Sequence, residues 1–153
     1  SDNDRLYRFL RDMILDTQEF DRLMDCLMEK HSYSRTNARK SLIMAENNLV
    51  ELEKNMHVIG LHSLTHPTTM DQMPIELQRN EYAANCNHLS RVLQRSRIES
   101  MSHPCGRYDD ATNTILQNLG VKLGFRSDAL KLRSSPYEYA RIDHTDLVRK
   151  YGL

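Results

Sequence analysis

The stretch IESMSHPCGRYDDATNTILQNLGVKLGF, residues 98–125, sets the fold class. It opens as a short strand, IESMSHP, stopped by Pro104 and Gly106. YDDATNTILQNLG then starts acidic, carries an Ile115, Leu116 and Leu119 stripe at helical spacing and closes on Gly120, as a capped helix does. VKLGFRSD reads as another short strand. Strand, helix and strand in that order imply parallel pairing through a helical crossover.

Working outward, the same alternation continues on both sides. Upstream, a helix is expected from Pro74, where a missing amide donor costs nothing, with a stripe of Ile75, Tyr82, Cys86, Leu89 and Leu93 and an end in the basic QRSR. Before it, HVIGLHS packs Val58, Ile59 and Leu61 around Gly60, a run typical of a buried strand. Downstream, the turn-rich RSSP leads to a fourth strand, EYARIDH. The first third is helical by its 3.6-residue periodicity: Leu6, Phe9, Leu10, Met13 and Ile14, then Phe20, Leu23, Met24, Leu27 and Met28, suggest a helical pair. A third helix is expected to start near Ser34 in SYSRTN and to run through Ala38, Leu42, Ala45, Leu49 and Leu52.

With 153 residues the chain has the length of one domain, and a single compact unit is expected. Lysine plus arginine and aspartate plus glutamate both total 21, so electrostatics nominates neither nucleic acid nor an anionic membrane surface. Cys26, Cys86 and Cys105 form no C-x-x-C pair, which argues against a zinc ribbon or a disulfide framework and fits a reducing, cytoplasmic compartment. No apolar run approaches the roughly 20 residues that span a bilayer, and SDNDRLYRFL has no signal-peptide stretch and no initiator methionine.

HSLTH places His62 and His66 four apart. Gly60 and Pro67 make this a poor helix, and four extended residues span about 13 Å, too far for two imidazoles to share one ion. The loop must curl back if both are ligands, and Ser63 and Thr65 are residues that favour such turns. On spacing alone, a metal site and a polar loop with two incidental histidines stand equal. His57 reads as structural, His31 and His88 as surface residues; His103, at a strand end beside Pro104, is a candidate for function, and His144 stays open.

IGLHSLTHP and SHPCGRYDDATNTILQNLGVKLGFRSD together resemble two consecutive blocks of the polysaccharide deacetylases, the NodB-homology or carbohydrate esterase family 4 group. The resemblance covers roughly residues 35 to 145. It implies that His62 and His66 bind a divalent metal, most simply zinc, with Ser63 shaping their loop. It implies that Ser102, Pro104 and Gly106 line the substrate groove and that the backbone amide of Cys105 is an oxyanion donor. Arg141 and Asp143, in the ending ARIDHTDL, are placed near the site, and His103 is a candidate proton donor to the leaving amine. The arginine and the aromatic residue of many members' second block are replaced here by Ser102 and Cys105.

The family's first block, ending in paired aspartates and a glycine, supplies a catalytic base and the third metal ligand, and no such motif occurs in this sequence. Asp109 and Asp110 follow the other block and read as charges at a helix start. The expected fold is therefore α/β, a partial, distorted (β/α) barrel of the deacetylase type with extra N-terminal helices. Residues 1–33 would be a helical insertion or lead-in and 34–153 a partial deacetylase domain, the C-terminal part of a larger protein. The implied activity is metal-dependent removal of N-acetyl or O-acetyl groups from a polysaccharide or amino sugar, with this chain alone turning over little. Two other readings are a carbohydrate-binding domain without chemistry and a helical interaction module.

Overall fold

The computed structural model describes residues 1–128 and 134–152; Arg133, which opens the expected RSSP turn, lies outside them. The chain divides into two compact units, Ser1–Ala45 and Glu46–Leu153, where length alone suggested one. The division falls beyond residue 33, because the third helix groups with the two before it.

The smaller unit holds α1 (Asp2–Phe9), prolonged by a π-helical turn (Leu10–Ile14), then α2 (Thr17–Lys30) and α3 (Arg35–Leu42). Side-chain oxygens set each start. Ser1 accepts from the Asp4 amide, Asp16 and Glu19 form a reciprocal capping box, and Ser34 accepts from the Asn37 amide. Between α1 and α2, the Tyr7 ring, which lies outside the expected stripe, meets Phe20 edge-on at 5.8 Å. None of the residues of these helices is buried, and Leu6, Phe9 and Met13 stay more than half exposed. Short helices cannot cover one another's apolar faces fully.

The helix expected to run from Ser34 through Leu52 is two helices. Ile43 takes an extended conformation (φ −110°, ψ 129°), and α4 begins at Glu46 and ends at Lys54. The apolar stripe continues across the break, since periodicity in sequence does not register a change of axis.

In the larger unit, β1 (Ser100–Ser102) and β2 (Leu123–Phe125) pair in parallel, Met101 opposite Gly124. Leu61 forms a parallel bridge to Met101 and Phe125 one to Tyr139. Four extended segments thus lie side by side in chain order, joined by α5 (Ile75–Leu93) and α6 (Asp110–Asn118). This is the expected α/β alternation, reduced to two short strands and two single bridges. Among the described residues the arrangement is an open arc, without barrel closure. HVIGLHS contributes only Leu61 to the ladder, so Val58 is 83% exposed where a buried strand was expected. EYARIDH likewise narrows to Tyr139, and its end becomes the cap of α7 (His144–Tyr151).

The core lies where the helices cover the arc: Leu61, Met70, Tyr82, Ile98, Met101 and Leu116 are all at most 2% exposed. The α5 stripe is buried at Tyr82, Cys86, Leu89 and Leu93, but Ile75 is exposed and Gln78 takes the inward position one turn before Tyr82. A buried amide needs partners. Gln78 donates through Nε2 to the Met73 carbonyl at 3.0 Å and accepts from Thr112 Oγ1 at 2.6 Å, tying α5 to the start of α6. Asp109 caps that start by accepting from the Thr112 amide at 2.8 Å, and Asp110 sits in the first turn, as their acidic pairing suggested. Gly124 is required by close approach: a Cβ there would lie 2.9 Å from the Tyr137 carbonyl oxygen.

Candidate active site

The chain leaves Leu61 at the carboxyl end of its bridge and reverses within five residues. Ser63 (φ 62°) and His66 (φ 58°) both take left-handed backbone conformations, an uncommon choice for residues with side chains. Hydrogen bonds hold them there. Ser63, only 7% exposed, accepts the His66 amide on Oγ at 3.1 Å. From α5, Glu81 accepts the Leu64 and Thr65 amides on Oε2 at 2.9 and 2.8 Å and the Thr65 hydroxyl on Oε1 at 2.8 Å. Asn85, one turn further, accepts the His62 amide at 3.0 Å. The result is that the two imidazoles meet, with ring centroids 4.8 Å apart and planes at 65°. An extended HSLTH segment would have kept them apart.

The tautomer of His62 follows from its partner. Its Nδ1 lies 2.7 Å from the Ser102 carbonyl oxygen, which can only accept, so Nδ1 carries the proton and Nε2 carries the lone pair. Ser102 Oγ, at 3.0 Å, adds a second contact to the same nitrogen. Such a bond to a backbone carbonyl is how proteins orient a metal-binding imidazole. Desolvation by neighbouring groups lowers the His62 pKa, opposed by the Ser102 hydrogen bond and aided by the charges of His66 and Arg141. Neutral imidazole is the form that binds a cation. These two side chains therefore fit half of a metal site. Among the described residues no group of three or more His, Cys, Asp or Glu side chains is placed to hold an ion.

The second block forms the adjoining wall. β1 ends at Ser102, and Pro104–Gly106 makes a 3-10 turn in which Cys105 is left-handed (φ 51°) and exposed. Gly106 (φ 68°) is needed there on two counts, since a Cβ would also fall 2.1 Å from Ser127 Oγ. Pro104 is buried. Ser102, expected to line the groove, contacts His62 through both its carbonyl and its hydroxyl.

His103 is fully buried. It stacks on Tyr108 at 4.1 Å, and its Nε2 donates to the Tyr137 carbonyl at 2.9 Å, while Nδ1 has no hydrogen-bond partner. Burial lowers its pKa to about 4. A neutral ring whose N–H is committed to the backbone is poorly suited to protonate a leaving amine, so the candidate proton donor is a packing residue. Its titration has a testable sign. The unfolded chain binds the proton near the ordinary value of about 6.5 and the folded chain only near 4, so stability is lost as pH falls through that window. The expected loss is about 3 kcal/mol in all. Urea unfolding at pH 7 and pH 4.5 should show it, and His103→Gln should flatten the slope; parallel profiles for the two proteins would refute the assignment.

Arg141 is exposed, donates from Nε to the Arg126 carbonyl at 3.0 Å, and lies close enough for its charge to act on both His62 and His103. Asp143 caps α7, accepting from the Thr145 amide and hydroxyl, and those bonds lower its pKa. His57 lines a cleft with Val58, Arg95 and Lys122 at the amino ends of the extended segments, away from the reversal. His31 is exposed, His88 faces Glu46 and Arg91, and His144 adjoins Asp143. The residues that the sequence reading missed are Glu81 and Asn85. Their spacing with Gln78 marks a polar stripe beside the apolar one on α5, the signal that could have revealed them.

A family model described as polysaccharide deacetylase matches residues 22–124. No curated protein sequence gives a significant match. Among solved structures, the chain is similar to "Streptococcus pyogenes deacetylase PplD in complex with acetate", with a TM-score of 0.58 and 18% identity over 91% of this chain and 70% of that one. At this identity the likeness concerns the fold.

Proposed function

Because the chain belongs to the polysaccharide deacetylase family, we propose that it is the histidine-bearing part of a metal-dependent hydrolase that removes acetyl groups from an amino sugar or polysaccharide. The observation that carries this reading is the 4.8 Å approach of the His62 and His66 rings, with His62 held in the tautomer that leaves Nε2 free. These two residues would hold the cation, zinc in the simplest case. Bound there, a divalent cation would supply Lewis acidity toward the acetyl carbonyl and an activated water.

The chain's own contributions follow from the wall. The Cys105 amide, on the exposed 3-10 turn, is assigned to the developing oxyanion, where a fixed donor acts without reorganisation. Arg141 adds positive charge beside the histidines. Next to Gly106, a polar cleft of about 340 Å³ bordered by Asp71, Tyr108, Asp110 and Glu138 has the size for a sugar unit. The base and the third, carboxylate ligand are assigned to the family's aspartate motif, which this sequence does not contain and which the reading places in a preceding segment of the same protein.

Two measurements test the proposal. Zinc should raise the melting temperature of this chain, as a ligand that binds only the folded state must. Acetate release from N-acetylated chitooligosaccharide should be negligible for this chain and appear when the aspartate-bearing segment is joined to it. Absence of a zinc effect, or acetate release that a chelator leaves untouched, would overturn it.

A further inference from the structure

We propose that Glu81 is a positioning residue that preforms the histidine pair, so that the imidazoles are assembled by α5 before any ion arrives. The inference rests on the reading of His62 and His66 as ligands for its purpose, but not for its geometry. The Ser63–His66 reversal contains two residues in left-handed backbone, an arrangement each of whose members costs free energy. It persists only if its surroundings over-determine it. Ser63 supplies one internal bond; three further donors of the turn, the Leu64 and Thr65 amides and the Thr65 hydroxyl, converge on one carboxylate.

Glu81 can do this because of where α5 sits. Tyr82 is fully buried and fixes the rotation of the helix, which turns the adjacent position toward the loop; Asn85, four residues on, reaches the His62 amide from the same stripe. Both oxygens of Glu81 are occupied by the loop, and Glu81 belongs to no ligating group of three or more among the described residues. Its contribution is therefore to shape rather than to coordination. A charged acceptor makes stronger bonds to amides than a neutral one, so the clamp uses the charge as well as the shape.

The test uses the whole chain and three variants, Glu81→Ala, Glu81→Gln and Thr65→Val. In the metal-free protein, Glu81→Ala should speed amide exchange of Leu64 and Thr65 by at least about tenfold and abolish the nuclear Overhauser contact between the two imidazoles. Exchange in β1 and α6 should not change, which separates a local effect from global unfolding. Glu81→Gln, which keeps the acceptor oxygens in part, should fall between, and Thr65→Val, which removes one bond, should show a smaller effect of the same kind. Zinc affinity should drop by roughly 10- to 100-fold in Glu81→Ala, as for other residues that orient ligands, and recover partly in Glu81→Gln. If the parent chain binds no zinc, the ligand reading falls and the metal-free arm still decides on the clamp. Unchanged loop exchange and an intact ring contact in Glu81→Ala would overturn the proposal.

Discussion

Replacing His62 with alanine is expected to weaken zinc binding by at least about 100-fold, more than the 10- to 100-fold typical when only a supporting residue is lost. The reason is that, in the proposed reading, the pair makes up the whole ligand set among the described residues. With His62 gone, His66 alone faces the ion, and the Ser102 carbonyl loses the Nδ1–H that it now accepts at 2.7 Å. His57→Ala, at the other end of the extended segments, should leave affinity unchanged. Titration calorimetry on the parent and both variants checks this. Equal affinities for the parent and His62→Ala would remove the metal from the site, whatever the fold.

Leu116→Ala should carry the largest effect on stability, a loss of about 3–4 kcal/mol. Leu116 has no exposed surface and belongs to the buried core cluster on α6, the crossover between β1 and β2, so its removal leaves a hole in that core. Leu6→Ala on α1 should change stability by no more than about 0.5 kcal/mol, because that side chain is 56% exposed. Urea denaturation, read at a constant slope, distinguishes the two. A small loss at Leu116 would mean that the interface between α5 and α6 relaxes to fill the space.

The features legible in the sequence were those written in local chemistry. Residues 98–125 announced strand, helix and strand because Pro104, Asp109 and Gly120 mark their own boundaries, and the observed elements end close to them. HSLTH, with a serine and a threonine that favour turns, left a curl open on spacing alone, and the rings do meet. Other features depend on distant partners. Whether Val58 is buried is decided by what stands beside it, and Leu61 alone found a neighbour in β1. The break at Ile43 left the apolar stripe intact and so left no trace. Ser102 was read as a groove residue from its block, yet its contact with His62 lies 40 positions away in sequence. Glu81 was hidden for the same reason: its partners at 64 and 65 are brought to it by the burial of Tyr82.

Chain-order pairing of the extended segments also bears on how the molecule assembles in time. Phe125 and Tyr139 meet across 14 positions and Met101 and Gly124 across 23, whereas joining His62 to Ser102 closes a 40-residue span. Closure entropy rises with the logarithm of span, by about 0.6 kcal/mol per doubling, and long-range contacts slow the search. The C-terminal edge is therefore the cheaper place to nucleate, with growth proceeding backward along the polypeptide. The imidazole pair would be the last part to condense and the first to dissolve.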